Sequence, residues 1–168
     1  MLNPSSLPDV LAVDGSAIVL REAVESDVPA LVQLLADDEL GATRDGAADD
    51  DDLQPYVRAF HLVDADPAHL LLVAATSNGD VIATMQVSML PGLARRGALR
   101  AQIEAVRVRA DHRRGGLGAA LFTWAIAEAR RRGCTLLQLT TDKSRTDAHR
   151  FYERLGFVAS HEGLKLHL

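Results

Sequence analysis

The chain has 168 residues, of which 48% are hydrophobic and 24% are charged, and these values predict a single domain with a substantial core. The net charge of −5 argues against a nucleic-acid partner, whose affinity would come from neutralised phosphates, and favours a cationic substrate. Apolar runs are too short for a membrane span, the first fifteen residues lack a signal-peptide pattern, and the single cysteine, Cys134, suits a reducing compartment. We therefore expect a cytoplasmic protein with no membrane partner.

The first half of the chain predicts an arm, a strand and two helices. Residues 1–15 contain prolines and no sustained period, which indicates a loose N-terminal arm, or a strand added to a partner, ahead of a domain over residues 16–168. Ile18 to Glu22 is typical of a strand. Apolar residues at helical spacing then predict two helices, one built on Val28, Leu31, Val32 and Leu35 and the other on Leu53, Tyr56, Val57 and Phe60.

A run of four aspartates, Asp49 to Asp52, precedes the second helix. The run could form an acidic rim that attracts a cationic ligand. It could equally complement the positive end of the helix dipole, which requires no ligand. The local interpretation is favoured because acids in a first helical turn are common.

The middle of the chain predicts a β-hairpin followed by a third strand. His69 to Thr76 and Val81 to Leu90 are apolar and flank Asn78-Gly79, a dipeptide typical of tight hairpin turns. After a loop over Pro91 to Gly97, Leu99 to Arg109 is expected to form the next strand.

The last part of the chain predicts a long helix, a strand, a short helix and a β-rich end. The long helix covers Leu117 to about Arg132, and the strand covers Thr135 to Thr141. The short helix carries Ala148, Phe151, Tyr152 and Leu155 on one face, and Phe157 to Leu168 predicts one or two final strands. Together these elements predict an α/β fold with a sheet of mixed direction.

A glycine-rich turn joins Val106-Arg107-Val108 to the long helix. In Arg113-Arg114-Gly115-Gly116-Leu117-Gly118, backbone N–H groups and the positive end of a helix dipole meet, which favours a bound anion. The turn lacks the Lys-Ser/Thr of a Walker A loop, and its glycine spacing and late position do not fit a dinucleotide fold. The expected anion is therefore neither a nucleoside triphosphate nor a dinucleotide.

Two motifs in this region resemble those of the GNAT-type N-acetyltransferases. Arg113-x-x-Gly116-x-Gly118 resembles the family's pyrophosphate-binding motif, and Ala148-x-x-x-Tyr152-x-x-x-Gly156-Phe157 resembles its second signature. The resemblance runs from Ile103 to Phe157 and is greatest to bacterial small-amine acetyltransferases, the aminoalkylphosphonate acetyltransferases included. It implies a mostly antiparallel sheet of six or seven strands flanked by about four helices, acetyl-CoA as co-substrate, and a homodimer as a family-level expectation.

The resemblance also implies which residues hold the cofactor. The pantetheine arm is expected along the backbone of Val106, Arg107 and Val108. The pyrophosphate is expected at the turn, on Arg113, Arg114, Gly115, Gly116, Leu117, Gly118 and Ala119. Arg145 stands where many relatives carry an asparagine that contacts the pantetheine arm, and Arg145 or Lys143 could instead reach a phosphate of the cofactor.

Two side chains are candidates for proton transfer. An alkylamine has a pKa of about 10.4 and must lose a proton before it attacks a thioester. Glu104 is the candidate base, expected on the same strand face as Val106 and Val108; the alternative is a strand glutamate paired with Arg107 or solvent. Tyr152 occupies the family's position for the acid that protonates the departing thiolate, and its alternative role is a core aromatic residue.

The resulting hypothesis is acetyl transfer to a primary amine of a small molecule by direct attack, without a metal. The sequence leaves two alternatives open. The acceptor could be a protein or peptide, or the chain could be a regulator that binds an acyl-CoA without catalysis.

Overall fold

The computed structural model describes residues 5–37 and 53–166 of the chain. The aspartate run Asp49 to Asp52 lies outside the described residues, so its two interpretations stay predictions.

Six strands form one mixed sheet, in the same order as they occur in the chain. They are β1 (Asp9–Val13), β2 (Ser16–Glu22), β3 (His69–Ala75), β4 (Val81–Pro91), β5 (Leu99–Val108) and β6 (Leu136–Leu139). Neighbours from β1 to β5 are antiparallel, and β5 and β6 are parallel. The predicted mixed, mostly antiparallel sheet of an α/β fold is confirmed.

Both ends of the chain differ from the expected pattern. Residues 9–13, within the segment expected to be a loose arm, form β1 and pair with β2. Residues 157–166 contain no strand, although one or two were predicted there. Their apolar side chains Val158, Leu164 and Leu166 are exposed, because β-propensity alone does not form a strand without a partner to pair with.

Helices cover both faces of the sheet. They are α1 (Val28–Ala36), α2 (Gln54–Asp64), the single turn α3 (Ala94–Gly97), α4 (Leu117–Arg131) and α5 (Thr146–Arg154). We name the face covered by α1 and α2 the front face, and the face covered by α4 the back face. Within residues 5–37 and 53–166, none of the helices combines the length and the apolar character that crossing a bilayer requires.

The larger core lies on the back face. Met85, Val87 and Ile103 from the sheet are buried against Leu121 and Phe122 of α4, and α5 packs at the edge of this cluster. A smaller cluster on the front face joins Val73 to Val28, Leu31 and Phe60. This division follows from the strand geometry, since successive side chains point to opposite faces.

The predicted hairpin between β3 and β4 is confirmed. Gly79 has a φ of +91°, a left-handed conformation that glycine adopts without steric cost. The N–H of Thr76 donates to the Asp80 carbonyl at 3.0 Å, which closes the turn.

A buried carboxylate near the end of α4 connects this helix end to the N-terminal segment. Glu128 is only 3% exposed and accepts hydrogen bonds from Arg131 and Arg132 of its own helix end and from Ser6 at 3.0 Å. Burial raises the pKa of the Glu128 carboxyl, but the hydrogen bonds from Arg131, Arg132 and Ser6 outweigh burial and bring the pKa to about 2. Glu128 therefore stays ionised and fixes the N-terminal segment on the back face.

We predict that Glu128→Gln lowers the free energy of unfolding by about 3 to 5 kcal/mol at pH 7, because it leaves the buried Arg132 guanidinium without its carboxylate. Folding lowers the pKa of Glu128, so its stabilisation is complete above the ordinary value of 4.5 and is lost as the pH falls toward 2. Denaturant unfolding from pH 7 down to about pH 3 should show the gap between wild type and variant narrowing below about pH 4.5.

The matched control for this prediction is Glu153→Gln on the exposed surface of α5, which should change stability by no more than about 0.5 kcal/mol. A gap between wild type and Glu128→Gln that stays constant across the whole pH range would contradict the assigned role of the carboxylate.

Candidate functional site

The parallel pairing between β5 and β6 stops inside the sheet. It runs from Arg100 opposite Leu136 to Ile103 opposite Leu139, whereas β5 continues to Val108 alongside β4. Residues 104–108, about 17 Å of strand, thus have a backbone edge with no strand beside it in the described part of the chain. Such an edge can pair with an extended ligand as if the ligand were another strand.

The backbone groups of Val106 and Val108 point toward this open edge. In an antiparallel pair alternate residues bond to opposite sides, and the N–H of Arg109 donates to the Ile82 carbonyl on the β4 side. The carbonyls of Val106 and Val108 instead accept from the side chains of Arg107 and Arg113, both at 2.9 Å. The two residues expected to pair with a pantetheine arm are therefore oriented for that role.

A β-bulge interrupts β5 at the point where β6 separates from it. Gln86 pairs with Glu104 and Thr84 pairs with Arg107, so Met85 lies opposite both Ala105 and Val106. Ala105 has a φ of +52°, in the left-handed region that residues with a Cβ rarely adopt. The extra residue reverses the alternation of side chains along the rest of the strand.

The bulge makes one sequence expectation wrong. Val106 and Val108 pack with the back-face core, whereas Glu104 pairs with Gln86 on the front face. Glu104 therefore does not share a strand face with the two valines, because the bulge shifts the period by one residue. Its carboxylate is exposed and makes no hydrogen bond or ion pair with the described residues, so the alternative pairing with Arg107 is not formed.

The glycine-rich turn opens directly into α4, as predicted. Gly116 occupies the N-cap with a φ of +86°, and no side chain bonds to the first helical turn. The N–H groups of Leu117, Gly118 and Ala119 consequently have no intrahelical partner, and the helix dipole adds positive charge at the same place. The buried side chain of Leu117 anchors this helix start in the core.

The two arginines of the turn have different surroundings. Arg113 donates to the Val108 carbonyl, and its guanidinium lies 3.8 Å from the Asp37 carboxylate, so it braces the turn against β5 and the end of α1. Arg114 is exposed and makes no hydrogen bond or ion pair with the described residues. Of these two arginines, Arg114 is therefore the one whose side chain is available to form an ion pair with a bound anion.

Tyr152 lies on α5 with its ring among aromatic side chains. The ring centroids of Phe122, Phe151 and Phe157 are 5.4, 5.4 and 6.0 Å from that of Tyr152. Burial raises the pKa of the Tyr152 hydroxyl, and the positive charges of Arg145 and Arg107 oppose that rise. The phenol is thus protonated at neutral pH, and packing in the core is compatible with a chemical role.

The helix that carries Tyr152 contacts the glycine-rich turn. A Cβ placed on Gly118 would lie 3.8 Å from the ring of Phe151, so α5 and the first turn of α4 are in near contact. We name the gap that opens between β5 and β6 after Ile103 the split. The structure brings the open strand edge, the glycine-rich turn and Tyr152 to the back-face side of the split, with Glu104 on the front face.

Sequence reasoning missed a group of glutamines beside this split. Gln102 and Gln138 pair across β5 and β6, and the Nε2 of Gln138 donates to the Oε1 of Gln102 at 2.7 Å. Gln86 lies next to Glu104 on the same face. Their proximity depends on strand register, although a polar Gln86 inside the apolar run Val81 to Leu90 was a signal available in the sequence.

Comparison with known proteins relates this geometry to a family. The sequence model of the acetyltransferase (GNAT) family matches residues 28–157. Aminoalkylphosphonate N-acetyltransferase of Salmonella typhimurium is 36% identical over 87 residues, which cover 52% of this chain and 56% of that protein. The chain thus aligns with just over half the length of this curated relative.

Solved structures are similar over most of the chain. A transcriptional regulator from Bacillus halodurans C-125 is 46% identical, with a TM-score of 0.84, covering 90% of this chain and 99% of that one. Glucosamine-6-phosphate N-acetyltransferase from Arabidopsis thaliana is 20% identical, with a TM-score of 0.72, covering 89% and 97%, and is similar in fold alone. Since the family match covers residues 28–157, which include the open edge of β5, the glycine-rich turn and Tyr152, the chain belongs to the acetyltransferase (GNAT) family.

Proposed function

We propose that this protein transfers the acetyl group of acetyl-CoA to a primary amine of a small molecule, by direct attack of the amine on the thioester. The observation that carries the proposal is the separation of β5 from β6 after Ile103, with an anion-binding turn at one end and Tyr152 beside it. Family membership supports acetyl-CoA as the co-substrate, since enzymes of this family use it.

The cofactor would lie along the open edge of β5. The N–H groups of Leu117, Gly118 and Ala119 would hold the pyrophosphate, with the exposed Arg114 available for its charge. The pantetheine arm would pair with the backbone of Val106 and Val108 as an added strand. In this arrangement the thioester would lie near the bulge at Ala105, where the edge ends.

The amine would approach the thioester from the front face, where Glu104 is exposed. An alkylamine with a pKa of about 10.4 is mostly protonated at neutral pH, so a base must take its proton. The Glu104 carboxylate is one residue from the bulge and has no competing partner among the described residues. We assign it as the base, acting directly or through one water.

Tyr152 would interact with the departing sulfur. A phenol is a weaker acid than a thiol of pKa about 8.5, so complete proton transfer to the free thiolate is uphill. The hydroxyl therefore acts first as a hydrogen-bond donor to the sulfur as negative charge develops. The charges of Arg145 and Arg107 lower the cost of the transfer, since they oppose the rise in the pKa of Tyr152 that burial causes.

The relatives support a small acceptor without identifying it. The Salmonella typhimurium relative acts on aminoalkylphosphonates, which are small amines, and the matched region is about half of that enzyme. Fold relatives acetylate other acceptors, such as a sugar phosphate, so the fold alone does not select one. A cytoplasmic location stays an expectation from the sequence, and a homodimer stays an expectation from the family.

A non-catalytic regulator is the second candidate. It is favoured by the 46% identity to a protein described as a transcriptional regulator. The availability of both Glu104 and Tyr152 for proton transfer favours the enzyme instead.

We predict that the wild type releases coenzyme A from acetyl-CoA when supplied with a small primary amine, and that Tyr152→Phe lowers kcat about a hundredfold or more. The phenylalanine keeps the aromatic contacts of the ring, so the acetyl-CoA dissociation constant and the stability should change little. A thiol-detection assay on a panel of amines and peptides measures the rate. Tight binding of acetyl-CoA with no turnover on any acceptor would instead support the regulator.

We predict that Glu104→Gln lowers kcat/KM about a hundredfold at pH 7, and that this deficit shrinks as the pH approaches the pKa of the amine. The deficit in kcat/KM shrinks as the pH rises because an amine that is already neutral no longer needs Glu104 to take its proton. Rates from about pH 7 to pH 10 test this, with Glu153→Gln as the control glutamate outside the site. A deficit that is independent of pH would exclude Glu104 as the base.

We predict that Gly118→Ala weakens acetyl-CoA binding at least about tenfold while the free energy of unfolding stays equal or rises. The added Cβ would lie 3.8 Å from the Phe151 ring, an ordinary contact, and alanine is a better helix former than glycine by up to about 1 kcal/mol. The loss would arise because the methyl group obstructs the pyrophosphate at the first turn. Titration calorimetry measures the acetyl-CoA dissociation constant, with Gly92→Ala as the matched control. An unchanged dissociation constant in Gly118→Ala would place the pyrophosphate elsewhere.

A further inference from the structure

A row of carboxamides lies on the front face, beside Glu104 and at the closed end of the split. Gln102 precedes Glu104 by two residues on β5 and pairs with Gln138 on β6. Gln86 lies directly opposite Glu104 on β4. All three glutamine side chains are half-buried.

Most of the hydrogen-bonding capacity of this row is unused. The bond from Gln138 Nε2 to Gln102 Oε1 is the one hydrogen bond that these three side chains make with the described residues. After it forms, Gln102 retains two N–H donors and Gln138 retains one. The amide pair therefore offers three N–H donors to a ligand group that accepts hydrogen bonds, while the Gln138 carbonyl oxygen can accept a hydrogen bond from ligand or solvent.

The unused hydrogen-bonding capacity of the glutamines lies next to Glu104. Half-buried carboxamides have a desolvation cost unless their polar atoms find partners. Farther along the same row, Ser88 and His69 satisfy each other through a 2.8 Å hydrogen bond. The unused donors are therefore concentrated next to Glu104.

A positive charge extends the row in the direction away from the bulge. Arg100 precedes Gln102 by two residues, on the same face of β5, and makes no ion pair with the described residues. Two residues of a strand span about 7 Å, so the amide pair lies about 7 Å from Glu104, with Arg100 beyond it.

Resting on the proposed function, we propose that the acceptor is a primary amine that carries a carbonyl or oxyanion oxygen about 6 to 7 Å from its nitrogen. Glu104 receives the amine, and the Gln102–Gln138 pair binds the second group, with Arg100 adding favourable charge. A plain alkylamine would leave the amide donors unpaired, and a diamine would bring a second ammonium group toward them and Arg100. The row thus selects acceptors by the chemical group at the end of the molecule opposite the reacting amine.

Three amines of similar length test this inference: 4-aminobutanoate, n-pentylamine and 1,4-diaminobutane. With wild-type protein and saturating acetyl-CoA, kcat/KM should be at least about a hundredfold higher for 4-aminobutanoate than for the other two. Gln102→Met and Gln138→Met, which keep the side-chain length, should raise KM for 4-aminobutanoate about tenfold or more with kcat little changed. The rate with n-pentylamine should stay the same in both variants.

Gln33→Met on the exposed surface of α1 is the matched control and should leave all three rates unchanged. Acetyl-CoA affinity, measured in each variant, reports whether the site is still formed. Wild-type turnover of n-pentylamine or the diamine as efficiently as 4-aminobutanoate would overturn this inference and leave the proposed function intact. Binding of acetyl-CoA with no turnover of any amine would overturn both this inference and the proposed function.

Discussion

β5 and β6 pair over four residues and then separate, because the chain after Leu139 leaves the sheet toward α5 while β5 stays paired with β4. Everything at the candidate site depends on this separation. It leaves residues 104–108 of β5 with an unpaired backbone edge, and the chain leads from that edge to the unpaired N–H groups at the start of α4. An extended ligand with an anionic end fits both features at once.

The remaining elements hold this opening in place. Arg113 connects the glycine-rich turn to the last carbonyl of β5 and to the end of α1. Phe122 and Phe151 fix α5 on α4, so Tyr152 is held by packing rather than by a loop. At the other end of α4, the buried carboxylate of Glu128 anchors the N-terminal segment. Rigid surroundings of this kind keep a catalytic geometry within narrow limits.

Local patterns predicted the parts of the molecule that local interactions determine. The hairpin at Asn78-Gly79 and the helix after Gly116 follow from turn chemistry and apolar spacing, and both formed as predicted. The face of Glu104 was predicted wrongly, because Ala105 carries no signal that would mark it as a bulge residue. The glutamine row depends on register between strands that are far apart in sequence, and the predicted final strands after Phe157 depended on a partner strand that the described residues do not supply.

The bulge at Ala105 also bears on the order of events during turnover. A strand that offers its edge to one ligand and its front face to another can hold both at the same time, since neither occupies the space of the other. The two substrates of such a site would form a ternary complex before any bond changes, and no acetylated form of the protein is needed as a carrier between them. Initial-velocity patterns of such an enzyme intersect, whereas a covalent carrier produces parallel lines.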